Sequence, residues 1–224
     1  MKTIVSQPNL VQQVRDAILE EISSGALAPG DRIIQEQIAD ALGVSRQPVQ
    51  QALALLRNQG VLQDAPGRGL LVAPLDPAHV RHMYDIRAVI EGLAARRAAE
   101  LGAARAAKAG PALIEAGRKA VAAGSVSRMI AADMKLHEFI YSLSGNPLIA
   151  PALETHLTYT QRVMGEVLIR DEEPHDIWDQ HEAILKAIAG GDGNTAESLV
   201  REHLTQASGF MVSRLLGKTG QPAA

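Results

Sequence analysis

The chain has 224 residues and 23.8 kDa, with 46% hydrophobic and 21% charged residues, 3% aromatics, a net charge of −3 and no cysteine. That composition excludes a disordered chain, disulfides, thiolate metal sites and thiol catalysis, and it suits a reducing compartment such as the cytoplasm. No apolar run approaches the ~18 residues needed to cross a membrane, and the first ten residues lack the apolar core of a signal peptide. With few aromatics and abundant alanine, packed helices are the expected class.

In chain order, the first expected helix spans about residues 7–24, with Leu10, Val14, Ile18 and Ile22 at a spacing of four. A short second helix at 35–42 ends at Gly43, which suits a left-handed C-terminal cap. Ser45 is placed to cap the third, in which Val49, Ala52, Leu53 and Leu56 form the i, i+3, i+4, i+7 stripe of a buried face. The opposite face presents Arg46, Gln47, Gln50 and Gln51. Residues 61–64 and 70–72 flank Ala65-Pro66-Gly67-Arg68-Gly69 and predict a hairpin. Helix, glycine turn, polar-faced helix and hairpin are the layout of a winged helix-turn-helix, whose recognition helix fits the major groove. The same pattern also occurs in helical proteins that bind nothing. The local charge does not decide the matter, because residues 1–75 hold six Lys/Arg against seven Asp/Glu.

Ala73-Pro74-Leu75-Asp76-Pro77 reads as a stiff linker at a domain boundary. Asp76 is a helix N-cap with Pro77 at the first helical position. Helices are expected at about 77–101, 105–123, 126–144, 147–169, 175–190 and 193–216, broken at Gly124-Ser125, Gly145-Asn146-Pro147, Glu173-Pro174 and residues 190–193, with a frayed tail from 217. There is no internal repeat. The expected organisation is therefore a DNA-binding winged helix over residues 1–73, a linker at 74–77, an all-helical antiparallel bundle over 78–217 and a tail at 218–224.

Within the bundle, Asp133 and His137 share a helix face at i, i+4, while His181 and His203 lie in apolar stripes. All four point inward. Buried polar groups need partners, and a shared divalent ion (Zn, Ni, Co or Mn) would satisfy four at once. Separately hydrogen-bonded core histidines fit the pattern equally well. Arg87 and Glu91 are spaced for a surface ion pair at i, i+4. His79, His82, His156 and His175 read as ordinary surface or interface residues, and Arg96-Arg97 as a solvated face.

Several of these segments together resemble one family. Gly25-Ala26-Leu27-Ala28-Pro29-Gly30, residues 38–53 (IADALGVSRQPVQQAL), Gly60-Val61-Leu62 and Pro66-Gly67-Arg68-Gly69 resemble the GntR family of bacterial transcription regulators in order and spacing. The resemblance implies that Ser45, Arg46, Gln47, Gln50 and Gln51 meet the major groove and that the wing tip at Arg68 and Gly69 reaches phosphate or the minor groove. Relatives usually carry Thr, Arg and Glu at the three glutamine positions, and often Arg at the place of Glu36. Asp133-Met134-Lys135-Leu136-His137, Ser144-Gly145-Asn146-Pro147-Leu148, residues 181–188 (HEAILKAI) and Glu202-His203-Leu204 resemble the ligand-binding FCD domain of the FadR-type branch. That branch implies a helical bundle with a central cavity, a divalent metal on Asp133, His137, His181 and His203, and a small carboxylate effector beside it. Arg87 would grip the effector carboxylate, with Arg162 as a second contact. The expected protein is a homodimer that binds a two-fold DNA operator and crosses no membrane. The rival readings are a helical metalloenzyme using the Asp/His centre and a pure metal sensor. Against an enzyme, no nucleophile elbow and no Gly-rich phosphate loop are present.

Overall fold

The computed structural model describes residues 10–168 and 177–219. The chain divides into two compact units, Met1–Pro74 and Leu75–Ala224. The architecture is mainly α, with a small antiparallel sheet confined to the first unit. Among the described residues, no helix is long and apolar enough to cross a membrane.

The first unit is built from α1 (Leu10–Ser23), β1 (Arg32–Ile33), α2 (Gln35–Leu42), α3 (Arg46–Asn58), β2 (Leu62–Asp64) and β3 (Leu70–Val72). Val14, Ile18 and Ile22 of α1 pack with Val49, Ala52, Leu53 and Leu56 of α3 in one small core. Gly43 adopts φ 63° and ψ 34°, and its N–H donates to the carbonyls of Ala39 and Asp40, so glycine stops α2 as its spacing predicts. Ser45 occupies the N-cap position of α3 in extended geometry, but its side chain makes no capping hydrogen bond. The hairpin is present, and its central strand β3 also pairs with β1 in the order β1-β3-β2. The two-residue β1 is too short to leave an alternating pattern in the sequence.

The second unit comprises α4 (Pro77–Ala122), α5 (Val126–Leu143), α6 (Ile149–Leu168), α7 (Ile177–Ala189) and α8 (Gly193–Thr219). The Asp76 carboxylate accepts from the Ala78 N–H at 2.9 Å, and Pro77 occupies the first turn, as expected for this N-terminus. The expected pair of helices at 77–101 and 105–123 is instead one helix of 46 residues with Pro111 inside it. Residues 102–104 therefore do not interrupt the backbone hydrogen bonding. They lie in a stretch where the helix changes direction. A straight helix would separate Glu91 from Gly117 by about 39 Å. Glu91, however, touches His137, and Gly117 lies against Trp178. The His137 and Trp178 rings stand 5.5 and 4.8 Å from the ring of His181. Side chains and two ring contacts cannot span the straight-helix distance, so α4 bends between residues 91 and 117. Gly102 and the Gly110-Pro111 pair are the residues in that interval that accommodate a kink.

The Gly102 backbone serves packing as well: an added Cβ would stand 2.7 Å from the Leu143 Cβ. The helix expected to fray from 217 continues as far as Thr219. The expected break at Glu173-Pro174 and the surface assignment of His175 lie outside the described residues. The core of this unit is aliphatic, with Met134, Leu136, Ile140, Leu153, Val163, Ile184, Ile188, Val200 and Leu204 packed around Ala94, Ala95 and Ala98.

Candidate metal centre and nucleic-acid interface

In the first unit, the apolar stripe of α3 is buried and its other face is open to solvent. Arg46, Gln47, Gln50 and Gln51 are all exposed on that face, as are Ser45 and, at the hairpin tip, Arg68 and Gly69. Gly67 and Gly69 adopt φ 92° and 96°, a region that glycine enters without strain, so the Pro-Gly-Arg-Gly run makes a tight tip that presents Arg68 outward. Glu36 at the start of α2 forms an ion pair with Arg46 at the start of α3. The Gln35 side chain also donates to the Arg46 carbonyl at 2.8 Å. The two helices are thus tied at the point where the polar face begins, and the Arg46 guanidinium has a carboxylate against it.

In the second unit, the four polar residues singled out in the sequence come together in the core. His137, His181 and His203 are buried, and ligand-capable ring nitrogens of all three lie within 4.8 Å of one another. His181 Nε2 is 3.2 Å from His203 Nε2 and 3.5 Å from Asp133 Oδ1, and His137 Nε2 is 3.9 Å from the same oxygen. Two nitrogens bound at 2.0–2.1 Å to a tetrahedral zinc stand roughly 3.4 Å apart, so these separations are close to the edges of a ligand tetrahedron. His137 Nε2 is buried and has no hydrogen-bond partner. An orphaned imidazole nitrogen pointing at a carboxylate and two further imidazoles is what a divalent cation would satisfy. The residues therefore fit the metal that the family resemblance implies.

The electrostatics divide the histidines into two kinds. Burial pushes His203 down to about 3, and the neighbouring His137 adds to that shift. Burial likewise pushes His181 well below the usual imidazole range, helped by His203 and His137. These two rings are neutral, as metal ligands must be. Burial acts the same way on His137, but the Glu91 and Asp133 carboxylates outweigh it and raise that ring. Burial raises Asp133.

Arg87 is buried rather than exposed, so its pairing with Glu91 is not the surface salt bridge that the spacing allows. Arg87 Nε donates to Glu91 Oε1 at 2.6 Å, and Arg87 Nη1 donates to Thr160 Oγ1 at 3.0 Å. The other Glu91 oxygen, Oε2, lies 2.6 Å from His137 Nδ1. Burial alone would raise the Glu91 carboxyl, but Arg87 and His137 hold it far below the usual carboxylate range. A cavity of about 40 Å³ opens between the two groups, with Arg87, Asp133, His137, Thr160 and His203 among its lining residues. That is room for two or three water-sized groups.

Arg162 is buried on α6, with its guanidinium 5.9 Å from the centre of the Tyr159 ring, and it does not reach the wall of this cavity. His79 is exposed and meets Tyr159 edge-on. His82 is exposed and His156 half-buried. Arg96 is exposed and pairs with Glu100 and Glu197, whereas Arg97 donates to the Ser144 carbonyl. Sequence reasoning missed three polar members of the site: Glu91, Thr160 and Gln180, whose Oε1 is 2.9 Å from His203 Nδ1. For Glu91, the i, i+4 spacing from Arg87 was the only available signal.

Comparison with known proteins gives these two units a common setting. Residues 10–72 match the family model described as bacterial regulatory proteins, gntR family, and residues 82–206 match that of the FCD domain. An HTH-type transcriptional regulator of Streptomyces ambofaciens is 29% identical over 179 residues, covering 80% of this chain and 75% of the relative. The HTH-type transcriptional repressor RspR of Escherichia coli K12 is 26% identical over 197 residues, covering 88% and 86%. Among solved structures, E. coli McbR/YncC superposes with a TM-score of 0.79 at 23% identity, covering 94% of this chain and 99% of that one. A GntR regulator from Rhodococcus sp. RHA1 gives 0.75 at 20% identity, covering 92% and 99%. The FCD match alone spans more than half of the chain, and the helix-turn-helix match precedes it in the order found here. The chain belongs to the GntR family of DNA-binding transcription regulators, in the group that carries an FCD domain.

Proposed function

We propose that this regulator acts as a homodimer on a two-fold operator and responds to a small organic acid bound beside a divalent metal. The observation that carries the reading is the cluster of three buried imidazoles with Asp133, two of which, His137 and His203, line with Asp133 a small cavity that also exposes the buried guanidinium of Arg87. Asp133, His137, His181 and His203 would hold the ion, which supplies a positive charge and an open coordination position. Arg87 offers its remaining N–H groups to a carboxylate at the other end of the cavity, in the fork geometry that suits such an anion. Arg162 does not line the cavity and is left out of this pair. The nearest chemical alternative, an enzyme, finds no support in the relatives, which are transcription regulators.

On the DNA side, Arg46, Gln47, Gln50 and Gln51 would read the major groove, with Arg68 and Gly69 at the wing. A single recognition helix reads only a few base pairs, so a dimer with two half-sites supplies the specificity. Effector binding regulates DNA binding to the extent that it favours one arrangement of the two heads over another.

The test begins with elemental analysis of protein purified without a nickel column. Thermal-shift screening of small carboxylates follows, with and without chelator. Arg87→Met should retain metal and lose the stabilisation by ligand, since a charge-assisted hydrogen bond of this kind is worth about 1.5–3 kcal/mol. A variant that responds to ligand as the parent does would remove Arg87 from the effector site. A parent that takes up no metal, even after reloading, would remove the metal centre.

A further inference from the structure

Glu91 is fully buried, is not one of the four ligand candidates, and does not line the cavity. Its two oxygens nevertheless face the two functional halves of the site. Oε1 takes the Arg87 Nε–H, and Oε2 lies 2.6 Å from His137 Nδ1. Arginine has donors only, so Oε1 is committed to accepting. A carboxylate is likewise an acceptor only, so Oε2 is a partner for Nδ1 when Nδ1 carries the proton. A neutral imidazole has one proton. With that proton on Nδ1, the lone pair sits on Nε2, the atom that faces Asp133 and has no hydrogen-bond partner.

Resting on the metal-centre reading, we propose that Glu91 is a positioning residue: it assigns the His137 proton to Nδ1 and so leaves Nε2 as the atom that binds the ion. His203 is held in the same sense, with Nδ1 at 2.9 Å from Gln180 Oε1 and Nε2 turned to the centre. The difference between the two partners gives the proposal its test. Gln180 needs to accept from one imidazole, which an amide oxygen can do. Glu91 must accept from two donors at once, which requires a carboxylate.

In Glu91→Gln, one of the two positions becomes an NH2 group. Placed against Arg87 it would set two donors head-on, and Arg87 cannot give up its proton. The NH2 therefore faces His137. The imidazole can exchange tautomers, so Nδ1 becomes an acceptor and the proton moves to Nε2. The ion loses a ligand although no ligand has been substituted. If Arg87 is also replaced, as in the double variant Arg87→Met/Glu91→Gln, nothing holds the amide oxygen away from His137. The amide turns over and the proton returns to Nδ1.

Two measurements on the full chain follow. Zinc affinity is obtained by competition with a chromophoric chelator. Histidine ring 15N spectra of the metal-free protein, at a pH where the rings are neutral, locate the proton on His137. Glu91→Gln should weaken zinc about 10- to 100-fold, the usual range for an outer-shell partner, and move the proton to Nε2. The double variant should recover most of that affinity and show the proton on Nδ1. A merely structural role for Glu91 predicts the opposite order, with the double variant weaker than the single one. The proposal is overturned by a Glu91→Gln affinity within about two-fold of the parent, by a proton that stays on Nδ1 in that variant, or by a double variant that fails to recover. If the single variant does not fold, the double variant, which buries no unpaired charge, must still carry the proton on Nδ1. A parent chain that binds no zinc would defeat the metal centre, while the ring spectra would still decide the role of Glu91.

Discussion

Gly117→Ala tests how closely the site depends on the packing of α4. A Cβ at Gly117 would fall inside the contact distance of the Trp178 ring. Trp178 is only 4% exposed, and its ring stands edge-on to His181 at 4.8 Å. A flexible side chain would retreat at little cost, but a buried indole wedged between a helix and an imidazole has nowhere to go. Overpacking of this kind costs about 1–3 kcal/mol. Alanine returns up to about 1 kcal/mol through its better helix propensity. For an overlap this deep the upper part of that range applies, about 2–3 kcal/mol, so the net loss is about 1–2 kcal/mol, or roughly 2–8 °C in the melting temperature of a unit this size. Because the displaced ring pushes on His181, the affinity for zinc should fall as well. The control is Gly209→Ala, an exposed position of α8 where an added Cβ meets nothing within 4 Å. That change should stabilise by about 0.5–1 kcal/mol, because only the propensity difference remains. Thermal unfolding of the metal-free variants by circular dichroism gives both numbers. If Gly117→Ala melts at or above the parent temperature, the contact with Trp178 does not constrain α7 and the reasoning fails.

Two further outcomes follow from charges. Glu36→Gln releases Arg46 from its ion pair, so DNA binding should tighten, and each phosphate that Arg46 then reaches should steepen the slope of log K against log salt by about 0.9. Fold stability should barely change, since an exposed pair of this type is worth ~0–1 kcal/mol; an unaltered salt slope in anisotropy titrations would mean that the released Arg46 gains no phosphate contact. The second outcome is a pH optimum in the stability of the metal-free protein. The folded-state values of His181 and His203 lie below the unfolded value of about 6.5, so the unfolded chain binds more protons and stability falls as pH drops from about 6.5 toward the folded value of His203 near 3. Asp133, raised by burial, opposes this with one group against two. His137 is raised, so its contribution is complete below about 6.5 and is lost as pH rises through its folded value. Melting curves from pH 4.5 to 9 at constant ionic strength should therefore peak near neutrality, and a profile flat between 6.5 and 4.5 would contradict the assignment of His181 and His203 as buried neutral rings.

The elements that carry a strong periodic signal were legible in the sequence, and those decided by packing were not. The stripe of α3 and the Gly43 stop give the helix-turn-helix, because a 3.6-residue period and a left-handed cap are both local properties. The inward direction of His181 and His203 is legible for the same reason, since each shares a stripe with aliphatic neighbours, and His137 was legible through its i, i+4 spacing to Asp133. Glu91 was not. At i, i+4 from Arg87 it reads as a solvated ion pair, and nothing local distinguishes that from a pair sealed beneath two other helices. Arg162 shows the converse. It stands on the helix that also supplies Thr160, but its guanidinium lies over the ring of Tyr159, one turn earlier on the same helix, and it does not line the cavity.

The glycines of α4 explain why its middle misleads a local reading. An interior helical glycine costs up to about 1 kcal/mol relative to alanine and normally signals an end. Here Gly102, Gly110 and Gly117 lie against Leu143, Leu185 and Trp178 respectively, so each lack of a side chain admits one from another helix. Trp178 and Leu185 sit one turn on either side of His181 along α7. The notches at Gly117 and Gly110 therefore fix the height and rotation of that histidine. The earlier part of the same helix carries Arg87 and Glu91, and Glu91 fixes His137 from its other side. One bent helix thus sets two of the three imidazoles, one by charge and one by the absence of side chains. Gly102, which looks like a break in the helix, admits Leu143, and Gly110 and Gly117 make the room that seats His181.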